Sequence, residues 1–96
     1  ILSVSVMYRI VLSKKAEQDL YSLLKSEPKV YKKAILLLKE IEQHPRTGRG
    51  KPTLKQHNLA GLYARKITDK HRLVYAVNDD IITVDILSAK GHYDDK

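Results

Sequence analysis

Three runs with β character close this chain, and the links between them are too short for a parallel sheet. Leu62–Ile67 alternates, with Leu62, Ala64 and Lys66 facing one way and Tyr63, Arg65 and Ile67 the other. Arg72–Val77 and Ile81–Leu87 are β-branched and apolar, the last being the most apolar of the set. Thr68-Asp69-Lys70-His71 joins the first two runs and Asn78-Asp79-Asp80 the last two. A parallel neighbour requires a crossover of about a dozen residues or more, so these strands must run antiparallel. The register of the first pair stays open. A simple turn sets Ile67 opposite Arg72, with Arg65 and Arg72 on one side, whereas a one-residue slip sets Lys66 opposite Arg72.

The N-terminal half has a different period. Tyr8–Leu12 reads as a first strand, and Ser13 is placed to cap the helix that follows. Ala16, Leu20, Leu23 and Leu24 recur at helical spacing, and Ser26-Glu27-Pro28 stops the run. Pro28 suits the first position of a second helix. There Val30, Ala34, Leu37, Leu38 and Ile41 form the apolar stripe, with Lys32, Lys33, Lys39 and Glu40 on the wet side. The expected fold is α+β: two N-terminal helices on one face of a small, mainly antiparallel four-stranded sheet, in the order β-α-α-β-β-β. The helices must bury their stripes against the sheet. That leaves one sheet face partly open, bordered by the Pro/Gly-containing loop that ends near Asn58.

With 96 residues the chain is long enough for one modest core. It has no cysteine, which excludes disulfides and thiolate metal sites. No run approaches the apolar length of a membrane helix. Ile1–Val6 is too short for a signal-peptide core and carries no basic start. Residues 1–6 are expected to precede a natural start at Met7, residues 7–93 to form the domain, and residues 94–96 to be a polar tail.

The charge is localised. From His44 to Tyr75 the bases Arg46, Arg49, Lys51, Lys55, Arg65, Lys66, Lys70 and Arg72 face one acid, Asp69, giving +7, which equals the net charge of the whole chain. Such an excess on one loop and one hairpin marks a polyanion site. The histidines (44, 57, 71 and 92) show no metal-ligand spacing, and no serine sits in a nucleophile elbow. The remaining inventory suits RNA cleavage by the substrate's own 2′-hydroxyl. That reaction needs a base, an acid for the departing 5′ oxygen, and fixed cations for the phosphorane. It requires no metal or other cofactor. His92 titrates in the useful range. Tyr63, Tyr75 and Tyr93 can stack on unpaired bases.

Lys51-Pro52, His57-Asn58-Leu59-x-Gly61, Arg65-Lys66-Ile67, the run from His71 to Val77, Asp79-Asp80 and the late His92-Tyr93 resemble the YoeB/Txe toxins of the RelE-like superfamily. The resemblance implies a cytoplasmic bacterial endoribonuclease of a toxin–antitoxin pair, which cuts messenger RNA in the ribosomal A site. Its partners would be a cognate antitoxin, the ribosome and mRNA, and dimers occur in the family; a membrane has no part. Carried over by position, Arg72 stabilises the scissile phosphate, His92 is the catalytic histidine and Tyr93 the terminal tyrosine. Lys66 replaces a second arginine, keeping charge but losing the bidentate fork. Arg49, Lys51, Lys55, Arg65 and His57 form the expected RNA- and ribosome-binding set.

The sequence departs from that family at one critical position. Thr53 stands where a glutamate is thought to act as general base, and a threonine cannot take that role near neutral pH. Gln56 follows beside Lys55, and Ala89-Lys90-Gly91 replaces the Cys-Arg before the final His-Tyr. Two functions are therefore consistent with the sequence. One is a slow RNA-cleaving toxin; the other is a non-catalytic or degenerate toxin that binds the ribosome or nucleic acid and its antitoxin.

Overall fold

The computed structural model describes residues 7–48, 53–54 and 61–91. Strand β1 (Arg9–Leu12) leads into helices α1 (Lys14–Ser26) and α2 (Pro28–Gln43), followed by β2 (Thr53–Leu54), β3 (Tyr63–Lys66), β4 (Arg72–Asn78) and β5 (Thr83–Ser88). The strands lie in the order β1-β5-β4-β3-β2. The pairs among β2, β3, β4 and β5 are antiparallel, and β1 pairs in parallel with β5. The α+β architecture of two helices on a mainly antiparallel sheet is therefore as expected. The two-residue β2 adds a short edge strand inside a segment read as loop.

Local chemistry accounts for the helix boundaries. Ser13 accepts a hydrogen bond from the Ala16 amide at 3.0 Å, satisfying one of the orphan donors of the first turn of α1. Pro28 opens α2, where its missing N–H has no cost. Ala16, Leu20, Ala34, Leu37, Leu38 and Ile41 pack against Ile67, Leu73, Tyr75, Val84 and Ile86 of the sheet. Each fully buried aliphatic side chain contributes about 1.5–3 kcal/mol by removal from water. Leu24, placed in the stripe by its spacing, is instead 45% exposed. Tyr75 lies in this core and so is not available to stack on a base.

Two details of the sheet position the site. Lys66 stands opposite Arg72 and Ala64 opposite Val74, so β3 and β4 adopt the slipped register. The turn explains the choice. Thr68 Oγ1 accepts from the amides of Lys70 and His71, while the amides of Ile67 and Thr68 both donate to the His71 carbonyl. A β-bulge falls between Val74 and Tyr75, which pair with Ser88 and Ile86 respectively. Bulges re-aim the strand beyond them, and here the chain past β5 reaches Arg72, whose N–H donates to the Gly91 carbonyl. The last strand starts at Thr83, two residues later than its apolar pattern suggests. Asn78 Oδ1 accepts from the Asp80 and Ile81 amides, and Ile82 has φ of 52°, so both isoleucines belong to the turn.

Candidate functional site

Helix-covered and open sheet faces alternate along β3. Tyr63, Arg65 and Ile67 point toward the helices, so Ala64 and Lys66 point away, in register with Val74 and Arg72. The helix-free face therefore carries a row of Ala64, Val74 and Ser88, all buried, and beside it the cation pair Lys66 and Arg72. Lys66 forms an ion pair with Asp69. That cation, by hydrogen bond and charge, holds the Asp69 carboxyl below its usual range, with smaller help from Arg72 and Lys33. Arg72 Nη1 donates to the Thr68 carbonyl at 2.8 Å. This contact braces the guanidinium against its own turn.

The chain end approaches the same corner. Arg72 donates its backbone N–H to the Gly91 carbonyl at 3.1 Å, and the Gly91 N–H donates to His71 Nδ1 at 2.8 Å. His71 Nε2 lies 3.1 Å from Glu27 Oε2. One residue earlier in sequence, the Lys90 ammonium donates to Ser22 Oγ at 2.8 Å, and the Ala89 amide donates to Asp19 Oδ2 at 3.0 Å. The segment leading to His92 is thus held by α1, by the residue between the helices, and by the start of β4. The sequence placed Glu27 in a helix stop and His71 in a turn, and assigned neither them nor Asp19 to the site. Their partners lie 20 to 70 residues away, so no local spacing signals them.

Arg65 is not part of any surface for RNA. It is 0% exposed, and its Nη2 donates to the carbonyls of His44 and Thr47 at 2.8 and 2.9 Å. Its Nε donates to the Tyr75 hydroxyl, which donates in turn to the Pro45 carbonyl at 2.6 Å. Arg46 lies over the ring of Tyr63, donates to its hydroxyl, and forms a two-pronged ion pair with Asp79, which also accepts from Tyr8. Tyr63 stacks on Tyr75 with ring centroids 5.8 Å apart. Two of the eight basic residues therefore fasten the turn from His44 to Thr47 from which the basic loop departs. Thr53 pairs with Ala64, two residues along β3 from Lys66 of the Lys66–Arg72 pair. Arg49, Lys51, Lys55, His57, His92 and Tyr93, expected at this site, lie outside the described residues. No three His, Asp or Glu side chains among the described residues are grouped to hold a metal ion, and no described helix is long and apolar enough to cross a membrane.

A pair of helices on one face of a mixed sheet is the small toxin fold seen in solved relatives. The YoeB/ParE toxin of Agrobacterium tumefaciens superposes with a TM-score of 0.83 at 25% identity, over 88% of this chain and 99% of that one. YoeB of Staphylococcus aureus, 38% identical, has been solved as a dimer (TM-score 0.79, covering 91% of this chain and 99% of that one) and in a YoeB–YefM complex (TM-score 0.77, covering 90% and 98%). Toxin YoeB of Escherichia coli K12 is 35% identical over 85 residues, which are 88% of this chain and 99% of that protein. The profile of the YoeB-like toxin of bacterial type II toxin–antitoxin systems matches residues 12–93, and the chain belongs to that family.

Proposed function

We propose that this toxin is a ribosome-dependent endoribonuclease that cleaves mRNA in the A site and is neutralised by a cognate antitoxin. The observation that carries this reading is the Lys66–Arg72 pair, two cations opposed on the helix-free face beside the backbone that leads into His92. A phosphorane carries more negative charge than the phosphodiester it forms from, so fixed cations stabilise the transition state over the ground state. In this reading Arg72 binds the scissile phosphate bidentately, Lys66 adds a point charge, and His92 protonates the leaving 5′ oxygen, with Tyr93 beside it. The 2′-hydroxyl is the nucleophile and, with Thr53 at the base position, passes its proton to a ribosomal or substrate group, so neither metal nor covalent enzyme intermediate is required. Lys51, Lys55, Arg49 and His57 would hold the ribosomal or messenger backbone. The S. aureus YoeB–YefM complex and YoeB dimer support an antitoxin partner and self-association.

Thr53 favours a second reading, in which the chain binds the ribosome and antitoxin without cutting. Expression with and without the neighbouring antitoxin gene, with mapping of mRNA ends, separates the two. Growth arrest with new 5′ ends at A-site codons is the expected result. Arrest without new ends would leave only binding.

A further inference from the structure

We propose that His71, backed by Glu27, is a positioning residue for the reaction, and that it acts by holding the Gly91 N–H and so keeping the Gly91 carbonyl on the Arg72 amide. The inference rests on the cleavage reading for its functional half and on the geometry for its structural half. His71 is 2% exposed, at the foot of β4 directly before Arg72. Because the Gly91 amide donates to Nδ1 at 2.8 Å, that nitrogen must present a lone pair. The ring proton then sits on Nε2, 3.1 Å from a Glu27 carboxylate oxygen that can only accept while ionised. Glu27 therefore selects the tautomer, and the tautomer makes the acceptor that Gly91 needs. This is the logic by which an outer carboxylate orients a histidine toward its working partner.

Three features give the contact a role beyond packing. Gly91 is gripped on both sides of its Cα by adjacent residues, its N–H by His71 and its C=O by the Arg72 amide. The residue whose side chain reads the phosphate and the residue that leads into His92 are thus tied together through the backbone. Gly91 also has φ of +73°, a left-handed conformation that other residues adopt only with strain, so the chain turns sharply there before His92. Ala89 and Lys90 are already held by Asp19 and Ser22 of α1, and His71 and Arg72 fix the next residue along. A catalytic group displaced by about 1 Å can lose on the order of 10²-fold in rate.

The test pairs a spectroscopic signature with rate measurements. In uniformly ¹⁵N-labelled toxin, a scalar coupling across the hydrogen bond should connect the Gly91 amide nitrogen with His71 Nδ1, and the His71 shifts should report the Nε2–H tautomer. In single-turnover cleavage on ribosomes, His71→Leu should lower the rate about 10-fold or more at unchanged ribosome and antitoxin affinity. His71→Asn, whose Oδ1 can take the place of Nδ1, should recover most of it. Glu27→Ala should lower it severalfold while preserving the melting temperature, and this variant carries the decision if His71→Leu does not fold. A missing coupling, or His71→Leu and Glu27→Ala cutting as fast as wild type, overturns the positioning role. A wild type that shows the coupling yet cuts nothing overturns the cleavage reading instead, and the role of His71 in cleavage falls with it.

Discussion

Lys66 and Arg72 stand directly opposite each other across the β3–β4 ladder, like charges where a cross-strand pair gains from opposite ones. Asp69 relieves part of this repulsion, by pairing with Lys66 and, more weakly, by its charge near Arg72. An arrangement that opposes folding but concentrates positive potential is what a bound phosphate would repay. Lys66→Gln should therefore leave stability within about 0.5 kcal/mol of wild type, or raise it slightly. Ribosome or single-stranded RNA binding should weaken, and its log–log salt slope should flatten by about 0.7 if one phosphate contact is lost. Urea titration and binding isotherms at several salt concentrations check both halves. An unchanged slope would mean Lys66 touches no phosphate.

Arg65 should behave in the opposite way. Its guanidinium satisfies two backbone carbonyls and the Tyr75 hydroxyl from a fully buried position. Arg65→Met keeps the stem but strands those acceptors, at a cost of about 2–4 kcal/mol. The expected outcome is a lower urea midpoint with an unchanged m-value. Near-native stability for this variant would remove its structural assignment.

These two neighbours show how much of the site the sequence carried. Alternation along Leu62–Ile67 already put Arg65 on the face of Ile67 and Lys66 on the other. A charge sum ignores facing, and so it placed Arg65 among the phosphate ligands. Helical periodicity found both helices, because Ala16, Leu20 and Leu23 repeat cleanly and Pro28 punctuates the join. The register stayed open because a two-residue period fits either pairing, and it is Thr68 Oγ1, binding two amides of the turn, that decides it. The contacts of His71 with Glu27 and Gly91 span 44 and 20 residues, so only the assembled fold brings them together.

Asp79 gives the fold a small acid-sensitive contact. Hydrogen bonds from Arg46 and Tyr8 hold its carboxyl below the usual range. A carboxyl more acidic in the folded chain than in the unfolded one adds stability above its unfolded value, near pH 4, and loses it as pH falls through the folded one. Wild type should therefore melt above Asp79→Asn at about pH 6, with the gap closing in strong acid. Melting curves across that range test the sign. A gap that widened on acidification would show the linkage to be reversed.

The basic loop is tested by charge reversal. If Lys51 and Lys55 hold phosphates, Lys51→Glu with Lys55→Glu should flatten the salt dependence of ribosome binding, at about 0.7 in slope per phosphate lost. Binding assays at a series of potassium concentrations measure this. A slope identical to wild type would make the loop an ordinary wet surface.

Thr53 offers a test of the cleavage reading. Its backbone pairs with Ala64, two residues along β3 from Lys66. A carboxylate at this position would be kept ionised by neighbouring cations and could accept the 2′-hydroxyl proton. Thr53→Glu should accelerate single-turnover cleavage, within the roughly 10²–10⁴-fold that a well-placed general base contributes. A fast wild type slowed by Thr53→Glu would place the base elsewhere, with His92 first in line.

In the proposed reaction Arg72 and His92 act on one phosphate. Single-turnover cleavage of an A-site codon on programmed ribosomes, by wild type, Arg72→Ala and His92→Ala, tests it most directly. The predicted result is slow but measurable cleavage by wild type and a loss of about 10²-fold or more in each variant, with antitoxin binding and melting temperature preserved. Equal cleavage by all three proteins would contradict the account.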